Sequence, residues 1–139
     1  MLYDDVPRVL EIERMSFSSP WSEAAFLQEI HKHYALSQVA ELRYDIIGYM
    51  CANYLFDEGH ILNLAVDPDF RRQGVATVLM EDALTELKKK GCRFFYLEVR
   101  VSNLAARIFY ERFGFRVVAF RKRYYVSREE DAALMTLET

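Results

Sequence analysis

The chain has 139 residues, of which 52% are hydrophobic and 28% are charged, which is the balance of an ordinary globular protein. The net charge of −3 gives no general attraction to nucleic acid, and no apolar stretch approaches the ~20 residues that a membrane-spanning helix needs. The N-terminal segment carries acidic residues and no long apolar run, which argues against a secretory signal. The sequence therefore predicts a soluble, cytoplasmic protein with no direct nucleic-acid or membrane partner.

The organisation of the chain favours one domain over residues 1–139, because no repeat, low-complexity tract or Pro/Gly-rich linker divides it. Cys51 and Cys92 each lie in an apolar stretch without CxxC or Cys/His spacing, which predicts reduced core thiols rather than a disulfide or metal pair. His31 and His33 are two positions apart, a spacing that does not place both on one helix face. No metal site is predicted.

Two helices are predicted at the start of the chain. Residues 4–15 (DDVPRVLEIERM) carry apolar side chains at near-helical spacing and acids in the first turn, as an amphipathic helix does. Ser19 is a candidate N-cap and Pro20 suits a first helical position, so a second helix is expected to run from there to about Lys32.

Strands and two further helices follow. The pattern predicts strands at about 34–43 and 46–55, a turn at 57–59, a strand at 60–66, a helix at 74–90, a strand at 93–99, a helix at about 103–113, and an antiparallel pair of strands near 115–125 and 132–138. The first hairpin, at 43–46, lacks the Asn-Gly or Asp-Gly of a tight turn, so its turn type stays open. The order of elements predicts a mixed α/β domain around one sheet.

A short loop between a buried strand and a long helix, residues 71–77 (RRQGVAT), is the first candidate site. The unpaired N–H groups of a helix N-terminus can hold an anion, and Gly74 and Ala76 let a ligand approach the backbone closely. Arg71 and Arg72 can add charge at its rim. A tight turn with two solvated arginines explains the same residues equally well.

A strand-end acid and a tyrosine on the following helix form the second candidate. Glu98 ends an apolar strand and can serve as a general base, and the phenol of Tyr110 can donate a proton to a leaving group. Taken alone, these residues favour a structural alternative, in which Glu98 pairs with Arg100 or another cation and Tyr110 packs in the core. The basic run 121–123 alternates across a strand and is interpreted as a solvated face rather than an RNA patch.

Several motifs in the right order resemble the GNAT superfamily of acetyltransferases. Arg71-x-x-Gly74-x-Ala76 is similar to its Q/R-x-x-G-x-G/A motif, with alanine in place of the second glycine, and residues 97–115 (LEVRVSNLAARIFYERFGF) are similar to the signature of one branch. That branch is the bacterial RimI branch, typified by an enzyme that acetylates the N-terminal alanine of a small-subunit ribosomal protein. The resemblance covers about residues 4–138 and includes residues 19–22 (SPWS).

The resemblance implies a fold, a cofactor and a set of roles. The implied fold is a GNAT-like mixed, mostly antiparallel central sheet flanked by helices. The implied reaction transfers acetyl from acetyl-CoA to the N-terminal amine of a protein, with a ribosomal protein as the expected acceptor and without a metal. Glu98 is implied as general base and Tyr110 as general acid. The implied cofactor-binding residues are the backbone of Leu64, Ala65 and Val66, the pyrophosphate loop of Arg71, Arg72, Gln73, Gly74, Val75, Ala76 and Thr77, and Asn103.

Departures from the family pattern leave alternatives. The chain begins almost at the first helix, so the first edge strand of the family is expected to be missing or its place covered by another segment. Val126 stands where the branch often has proline or an acid, and this difference weakens the expectation that the acceptor is a peptide. Phe17 and Trp21 flank the helix junction, where the family places its acceptor groove, although core packing explains them nearly as well. A small amine acceptor, such as a polyamine or amino-sugar, and a non-catalytic acyl-CoA-binding module stay open; the presence of both Glu98 and Tyr110 argues against the module.

Overall fold

The computed structural model describes residues 1–122 and 131–139. Its elements in chain order are α1 (Val6–Ser16), α2 (Glu23–Ile30), β1 (Ala35–Leu42), β2 (Asp45–Leu55), β3 (Glu58–Val66), α3 (Val75–Lys89), β4 (Phe94–Arg100), α4 (Leu104–Arg112), β5 (Arg116–Arg121) and β6 (Ala132–Glu138), with short 3-10 helices at Tyr3–Asp5 and Pro68–Phe70. No helix in the described ranges is long and apolar enough to cross a membrane.

The strands form one six-stranded sheet in the order β1-β2-β3-β4-β6-β5. All neighbouring strands pair antiparallel except β3 and β4, which are parallel. The expected mixed, mostly antiparallel sheet with flanking helices is confirmed. The described chain has no strand before α1, and β1 forms one edge of the sheet. There the Met1 nitrogen donates a hydrogen bond to the Ser37 carbonyl at 2.7 Å.

Two apolar clusters lie on opposite faces of the sheet. One packs α3 against Met50 and Ala52 of β2, and the other packs α1 and α2 against Tyr49 and Cys51, which alternate with them along the same strand. Cys51 is buried in one cluster and Cys92 in the other, which confirms that both thiols lie in the core. Burial raises the pKa of the Cys51 thiol to about 12, so it stays protonated at physiological pH.

The second helix starts later than its sequence pattern indicates. The predicted N-cap Ser19 and first helical residue Pro20 are wrong: Ser22 is the N-cap, and its side chain accepts a hydrogen bond from the Ala25 nitrogen at 3.1 Å. Ser22 has an extended backbone (φ −78°, ψ 164°), so the helix cannot run through it from Ser19, and its side chain satisfies an N–H group of the first turn. The Glu13 carboxyl group of α1 separately accepts a hydrogen bond from the Trp21 nitrogen at 2.8 Å.

One strand boundary differs from its prediction. Leu55 pairs with Glu58, so β3 starts earlier than predicted, and the loop is formed by residues 56–57 instead of the predicted turn at 57–59. The predicted pair of strands near the C-terminus is confirmed by the antiparallel pairing of β5 and β6. Positions 123–125 of the predicted strand at 115–125, and Val126, lie outside the described residues.

The turn between β1 and β2 places two non-glycine residues in the left-handed region. Arg43 has φ 52° and Tyr44 has φ 70°, and the flanking residues Leu42 and Asp45 pair directly, which is the geometry of a two-residue type I′ turn. Left-handed backbone costs a residue with a Cβ atom roughly 1–2 kcal/mol. The Tyr44 side chain is fully exposed, so no packing offsets that cost.

We therefore expect Tyr44→Gly to raise the free energy of unfolding by about 1 kcal/mol, because glycine adopts positive φ without a steric penalty. Urea denaturation followed by circular dichroism measures the change. Tyr44→Ala is the matched control, since it removes the same exposed ring and keeps the strain. Equal stability of the glycine and alanine variants would contradict the assignment of strain to this turn.

Candidate active site

The parallel strands β3 and β4 diverge. They pair only across Glu58–His60 and Phe94–Tyr96, although β3 continues to Val66 and β4 to Arg100. On their outer sides, β2 holds β3 as far as Val66 and β6 holds β4 as far as Arg100. The inner edges of residues 61–66 and 97–100 therefore face each other without strand pairing in the described part of the chain. Apart from the Val66 carbonyl, which accepts from Arg71, the backbone N–H and C=O groups on these edges can meet a ligand.

A bulge accompanies this divergence. Cys51 pairs with Asn63 and Ala52 pairs with Ile61, so Leu62 is an extra residue in β3. Bulges bend a strand and change the direction of its side chains, and they are common next to active sites. The bulge lies where β3 begins to part from β4.

The gap between the two strands is a cavity of about 190 Å³. It brings together three predicted site residues from two neighbouring elements: Glu98 of β4, Asn103 at the start of α4, and Tyr110 of α4. Leu64, whose backbone was predicted to bind the cofactor, lines the same space. The full lining is Phe17, Ile61, Leu62, Asn63, Leu64, Leu97, Glu98, Val99, Arg100, Asn103, Ala106 and Tyr110.

Glu98 and Tyr110 approach this gap from opposite faces of the sheet. Along β4, Phe95, Leu97 and Val99 point into the cluster beneath α3, so Glu98 belongs to the other face. Tyr110 packs against the cluster beneath α3. An acid–base pair separated in this way can serve a nucleophile that enters from one side and a group that leaves on the other.

Glu98 forms an ion pair in this structure. Its Oε1 accepts a hydrogen bond from Nη1 of Arg121, on β5, at 3.0 Å, and the two side chains are 34% and 67% exposed. The ion-pair alternative in the sequence analysis named Arg100 or another cation, and the structure shows Arg121 as one such cation. Exposed pairs of this kind contribute roughly 0–1 kcal/mol, so an incoming ammonium group can compete with the guanidinium at little cost.

Tyr110 is half-buried, with its ring centroid 5.4 Å from that of Phe109 and 6.0 Å from that of Phe115. Burial raises the pKa of its phenol to about 12. The phenol therefore carries its proton throughout the physiological range and can donate it in a hydrogen bond. Packing in the core and a position on the cavity wall are both observed for this residue.

A second cavity, of about 430 Å³, surrounds the predicted pyrophosphate loop. Val66, at the end of β3, lines it together with Arg112 of α4. All predicted loop residues except the exposed Gln73 contribute to its wall, and Ala65 is buried and lines neither cavity. The full lining is Val66, Phe70, Arg71, Arg72, Gly74, Val75, Ala76, Thr77, Phe109 and Arg112.

The N-terminus of α3 opens into this second cavity. Gly74 is its N-cap with φ 82°, and no side chain caps the first N–H groups of the helix. A Cβ atom at position 74 would meet nothing within 4 Å, so the space above the backbone is open. Unpaired N–H groups, the positive end of the helix dipole and open space together suit an anion such as a phosphate group.

Two predicted cofactor-binding side chains also have structural partners. The Arg71 guanidinium donates to the Val66 carbonyl at 3.2 Å and to the Ser16 hydroxyl at 3.3 Å, so it fastens the loop to β3 and α1. The Asn103 side-chain oxygen accepts from the Ala106 nitrogen at 3.1 Å and caps α4. This leaves the Asn103 amide nitrogen for a ligand contact.

A partly buried ion pair, which the sequence pattern did not reveal, anchors the end of β3. Asp67 is 7% exposed and accepts from the Asp69 nitrogen at 2.9 Å and from the Arg8 guanidinium. Arg8 also donates to the Ile46 carbonyl, which ties α1 to the start of β2. The hydrogen bond from Asp69, and next to it that from Arg8, hold the pKa of the Asp67 carboxyl group below its usual range.

This pKa shift predicts how stability depends on pH. Because the folded-state pKa of Asp67 is lower than the unfolded value of about 3.9, its contribution is fully present above that value and is lost as pH falls through the folded pKa. We expect Asp67→Asn to lower the free energy of unfolding by about 1–3 kcal/mol at pH 7 and by less at the acid end. Urea denaturation from pH 7 to pH 3 measures both curves; parallel curves over that range would contradict the prediction.

Glu13 is a buried residue beside the site that the sequence analysis missed, and it contacts Asn63 on the cavity wall. It is 1% exposed, and its carboxyl group accepts from the Trp21 nitrogen, the Tyr49 hydroxyl and, at 2.6 Å, the Asn63 amide. The available signal was its position: it continues the apolar spacing of Val6 and Leu10 on α1 and therefore falls on the buried face. Of the two aromatic residues at the helix junction, Phe17 lines the first cavity and Trp21 packs on Phe26 at 5.1 Å.

Comparison with known proteins identifies the class. The sequence matches the acetyltransferase (GNAT) family over residues 6–115, which is most of the chain. The chain therefore belongs to the GNAT family and is an acetyl-CoA-dependent N-acetyltransferase.

Several known proteins are similar to this chain in sequence or in structure. The chain is 36% identical over 135 residues to the ribosomal protein bS18-alanine N-acetyltransferase of Escherichia coli, which covers 96% of this chain and 90% of the relative. A crystal structure of the ribosomal-protein-S18-alanine N-acetyltransferase from Escherichia coli superimposes with a TM-score of 0.91 at 34% identity, over 99% of this chain and 90% of that one. An acetyltransferase from Bacillus anthracis, solved in complex with acetyl coenzyme A, matches with a TM-score of 0.74 at 26% identity, over 82% and 68%. The predicted resemblance to the RimI branch is confirmed.

Proposed function

We propose that this chain transfers the acetyl group of acetyl-CoA to the N-terminal α-amino group of a ribosomal protein in the cytoplasm, with Glu98 as general base and Tyr110 as general acid. One observation carries the proposal: both side chains line a single cavity between diverging strands, beside backbone groups that no strand pairs. Similarity to the Escherichia coli bS18-alanine N-acetyltransferase supports the choice of acceptor.

Acetyl-CoA fits the two cavities in sequence along β3. Leu64 lines the cavity that contains Glu98, and Val66 lines the cavity around the α3 N-terminus, so one extended ligand following the strand reaches both. The pantetheine arm carries amide groups that can pair with the open edge of β3, as an added strand would. The pyrophosphate then meets the N–H groups at Gly74 and beyond, and the thioester lies next to Glu98 and Tyr110.

The chemistry follows from these positions. An α-amino group has a pKa of about 7.7–8.0, so much of it is protonated at neutral pH, and Glu98 accepts the proton that the amine must lose. The nitrogen lone pair attacks the thioester carbon, and a backbone N–H within residues 63–66 stabilises the resulting oxyanion; losing one such donor typically costs roughly 3 kcal/mol. When the C–S bond breaks, the sulfur receives a proton with Tyr110 as its donor, on the opposite face from the amine. The positively charged nitrogen of the new amide releases its extra proton to solvent, and solvent reprotonates the Tyr110 phenolate.

The acceptor enters from the Glu98 face in this account. Glu98 also borders a groove of about 410 Å³ together with His60, Tyr96 and Leu134, and the side chains of Glu98 and Leu134 are direct neighbours across β4 and β6. The groove shares Ile61, Leu62, Leu97 and Glu98 with the cavity, so the two spaces adjoin at Glu98. Phe17 closes the cavity from the α1–α2 connection.

Mass spectrometry of a substrate panel tests the proposal. Peptides that begin with Ala, Ser, Met or Gly, a polyamine and an amino-sugar are each incubated with the protein and acetyl-CoA. We expect acetylation of the α-amino group of peptides, with the alanine-first peptide preferred. Acetylation of only the small amines would assign the second acceptor class, and no acetylation of any amine, despite acetyl-CoA binding, would indicate a binding module.

Tyr110→Phe separates catalysis by this residue from packing. The raised pKa of Tyr110 arises from burial alone, without a hydrogen bond to any residue in the described ranges, so phenylalanine keeps the packing and removes no partner. We expect kcat to fall by about 10²-fold while Tm stays near that of the wild type. Acetyl transfer and thermal unfolding are measured on the same preparation. A lower Tm with unchanged kcat would assign Tyr110 to the core alone.

A further inference from the structure

The buried carboxyl group of Glu13 connects the segment between α1 and α2 to the central sheet. Glu13 is 1% exposed, and three donors from three different segments surround it. Oε2 accepts from the Trp21 backbone nitrogen at 2.8 Å, whereas Oε1 accepts from the Asn63 amide at 2.6 Å and from the Tyr49 hydroxyl. Burial of a carboxyl group is costly unless such donors satisfy it, so this arrangement depends on all three segments being in place.

The segments that Glu13 joins border the cavity. Asn63 lines it from β3, immediately after the bulge at Leu62, and Phe17 lines it from the α1–α2 connection, residues 17–22. Inside that connection, the Trp21 nitrogen is held by Glu13, and the Trp21 ring packs on Phe26. The connection contains no helix or strand of its own, so its position relative to β3 depends on such contacts.

We propose that Glu13 is a positioning residue for the acceptor: it holds the α1–α2 connection against Asn63, so that the connection forms one wall of the acceptor entrance. This inference rests on the proposed function, since it assigns the wall to the acceptor of that reaction. Glu13 is too deeply buried to contact a substrate itself. It acts through the Trp21 backbone and the Asn63 side chain.

Glu13→Gln tests the role. A glutamine replaces one accepting oxygen with an NH2 donor. In one orientation this donor faces the Trp21 N–H, and in the other the contacts persist only if the Asn63 amide turns over and the Tyr49 hydroxyl accepts, so the present arrangement is lost in both. We expect the KM for the alanine-first peptide to rise by about 5- to 30-fold, the factor that the loss of one or two hydrogen bonds gives, while the KM for acetyl-CoA stays at the wild-type level. Steady-state kinetics with each substrate varied in turn gives both values.

Glu29→Gln is the matched control. Glu29 is also a buried carboxyl group, 5% exposed, and it accepts from a sheet asparagine, Asn53, at 3.0 Å and from Lys32 at 2.9 Å. None of these three residues lines the cavity. The control therefore makes the same chemical change at a comparable depth, and we expect it to lower Tm while leaving both KM values unchanged.

A second readout needs no catalysis. Trp21 is the single tryptophan of the chain, so its fluorescence reports the position of the α1–α2 connection directly. We expect acrylamide to quench it more strongly in Glu13→Gln than in the wild type or in Glu29→Gln. If Glu13→Gln does not fold, Glu13→Asp is used instead; it keeps the carboxylate but is too short to reach Trp21 and Asn63 together, so the same pattern is expected at smaller size.

Two results would overturn the inference. The first is a rise in both KM values together, or in neither, in Glu13→Gln, with Tm lowered as in Glu29→Gln. The second is wild-type quenching of Trp21 in the Glu13 variants. If the wild type acetylates no peptide, the proposed function fails on that result alone, and the quenching measurement still decides whether Glu13 positions the connection.

Discussion

Glu98→Gln is expected to lower kcat at neutral pH by about 10²–10⁴-fold and to leave the affinity for acetyl-CoA unchanged. The amide keeps the shape of the side chain on the wall of the cavity but does not accept a proton from the amine. The defect should shrink as pH rises above the amine pKa of about 8, because the amine then loses its proton to solvent. A pH profile of kcat for both proteins, with calorimetry of acetyl-CoA binding, measures these effects.

Arg121→Gln is the control for the ion pair that Glu98 forms. Glu98→Gln breaks this pair as well as removing the base, whereas Arg121→Gln breaks the pair and keeps the carboxylate. Because an exposed pair contributes only roughly 0–1 kcal/mol, we expect the arginine variant to keep a rate close to that of the wild type. Wild-type turnover of Glu98→Gln at neutral pH would show that Glu98 serves only the ion pair.

Gly74→Asp is expected to nearly abolish acetyl-CoA binding. The new carboxylate would occupy the open space at the N-terminus of α3 and oppose the pyrophosphate with a like charge. Ala76 lies two residues further along the chain and lines the same cavity, so Ala76→Glu should act in the same way. Isothermal titration calorimetry with acetyl-CoA measures the affinity, and circular dichroism verifies the fold.

Gly74→Asn separates charge from backbone strain. Position 74 has φ 82°, where any side chain is strained, and asparagine and aspartate tolerate this conformation about equally well. Asparagine has nearly the same size as aspartate and no charge. We expect it to weaken binding less than aspartate does. Unchanged affinity in Gly74→Asp and Ala76→Glu would remove the loop from the cofactor site.

The sequence contained enough information to predict the elements and to bring the site residues together. Helical spacing placed Asn103 and Tyr110 about two turns apart on one face, and both line the cavity. Gly74 after a buried strand marked the start of α3 and its open N-terminus. These predictions succeeded because they depend on local periodicity and on backbone conformations that particular residues favour.

Contacts between distant segments were not predictable in the same way. One partner of Glu98 is Arg121, which reaches it from β5 across β6, so only the strand order identifies this pair. The hydrogen bond from the Trp21 nitrogen to Glu13, a residue of the preceding helix, is likewise a contact that no local pattern indicates. Local patterns contain no information about which buried donor faces which acceptor.

The turn at Arg43 and Tyr44 shows the opposite case, in which local preference is overridden. Both residues disfavour positive φ, yet the pairing of β1 with β2 requires it in a two-residue loop. The divergence of β3 from β4 is likewise absent from the sequence pattern, since both strands keep apolar residues beyond the point where they part. It follows from the separate pairing of each strand with its outer neighbour.

The most direct test of acetyl transfer to a ribosomal protein is the mass of the N-terminal peptide of bS18 in the host organism, with and without this gene. The account predicts that deletion removes the mass of one acetyl group from that peptide, that the wild-type gene restores it, and that a gene encoding Glu98→Gln does not. An equally acetylated bS18 N-terminus in the deletion strain would contradict the account.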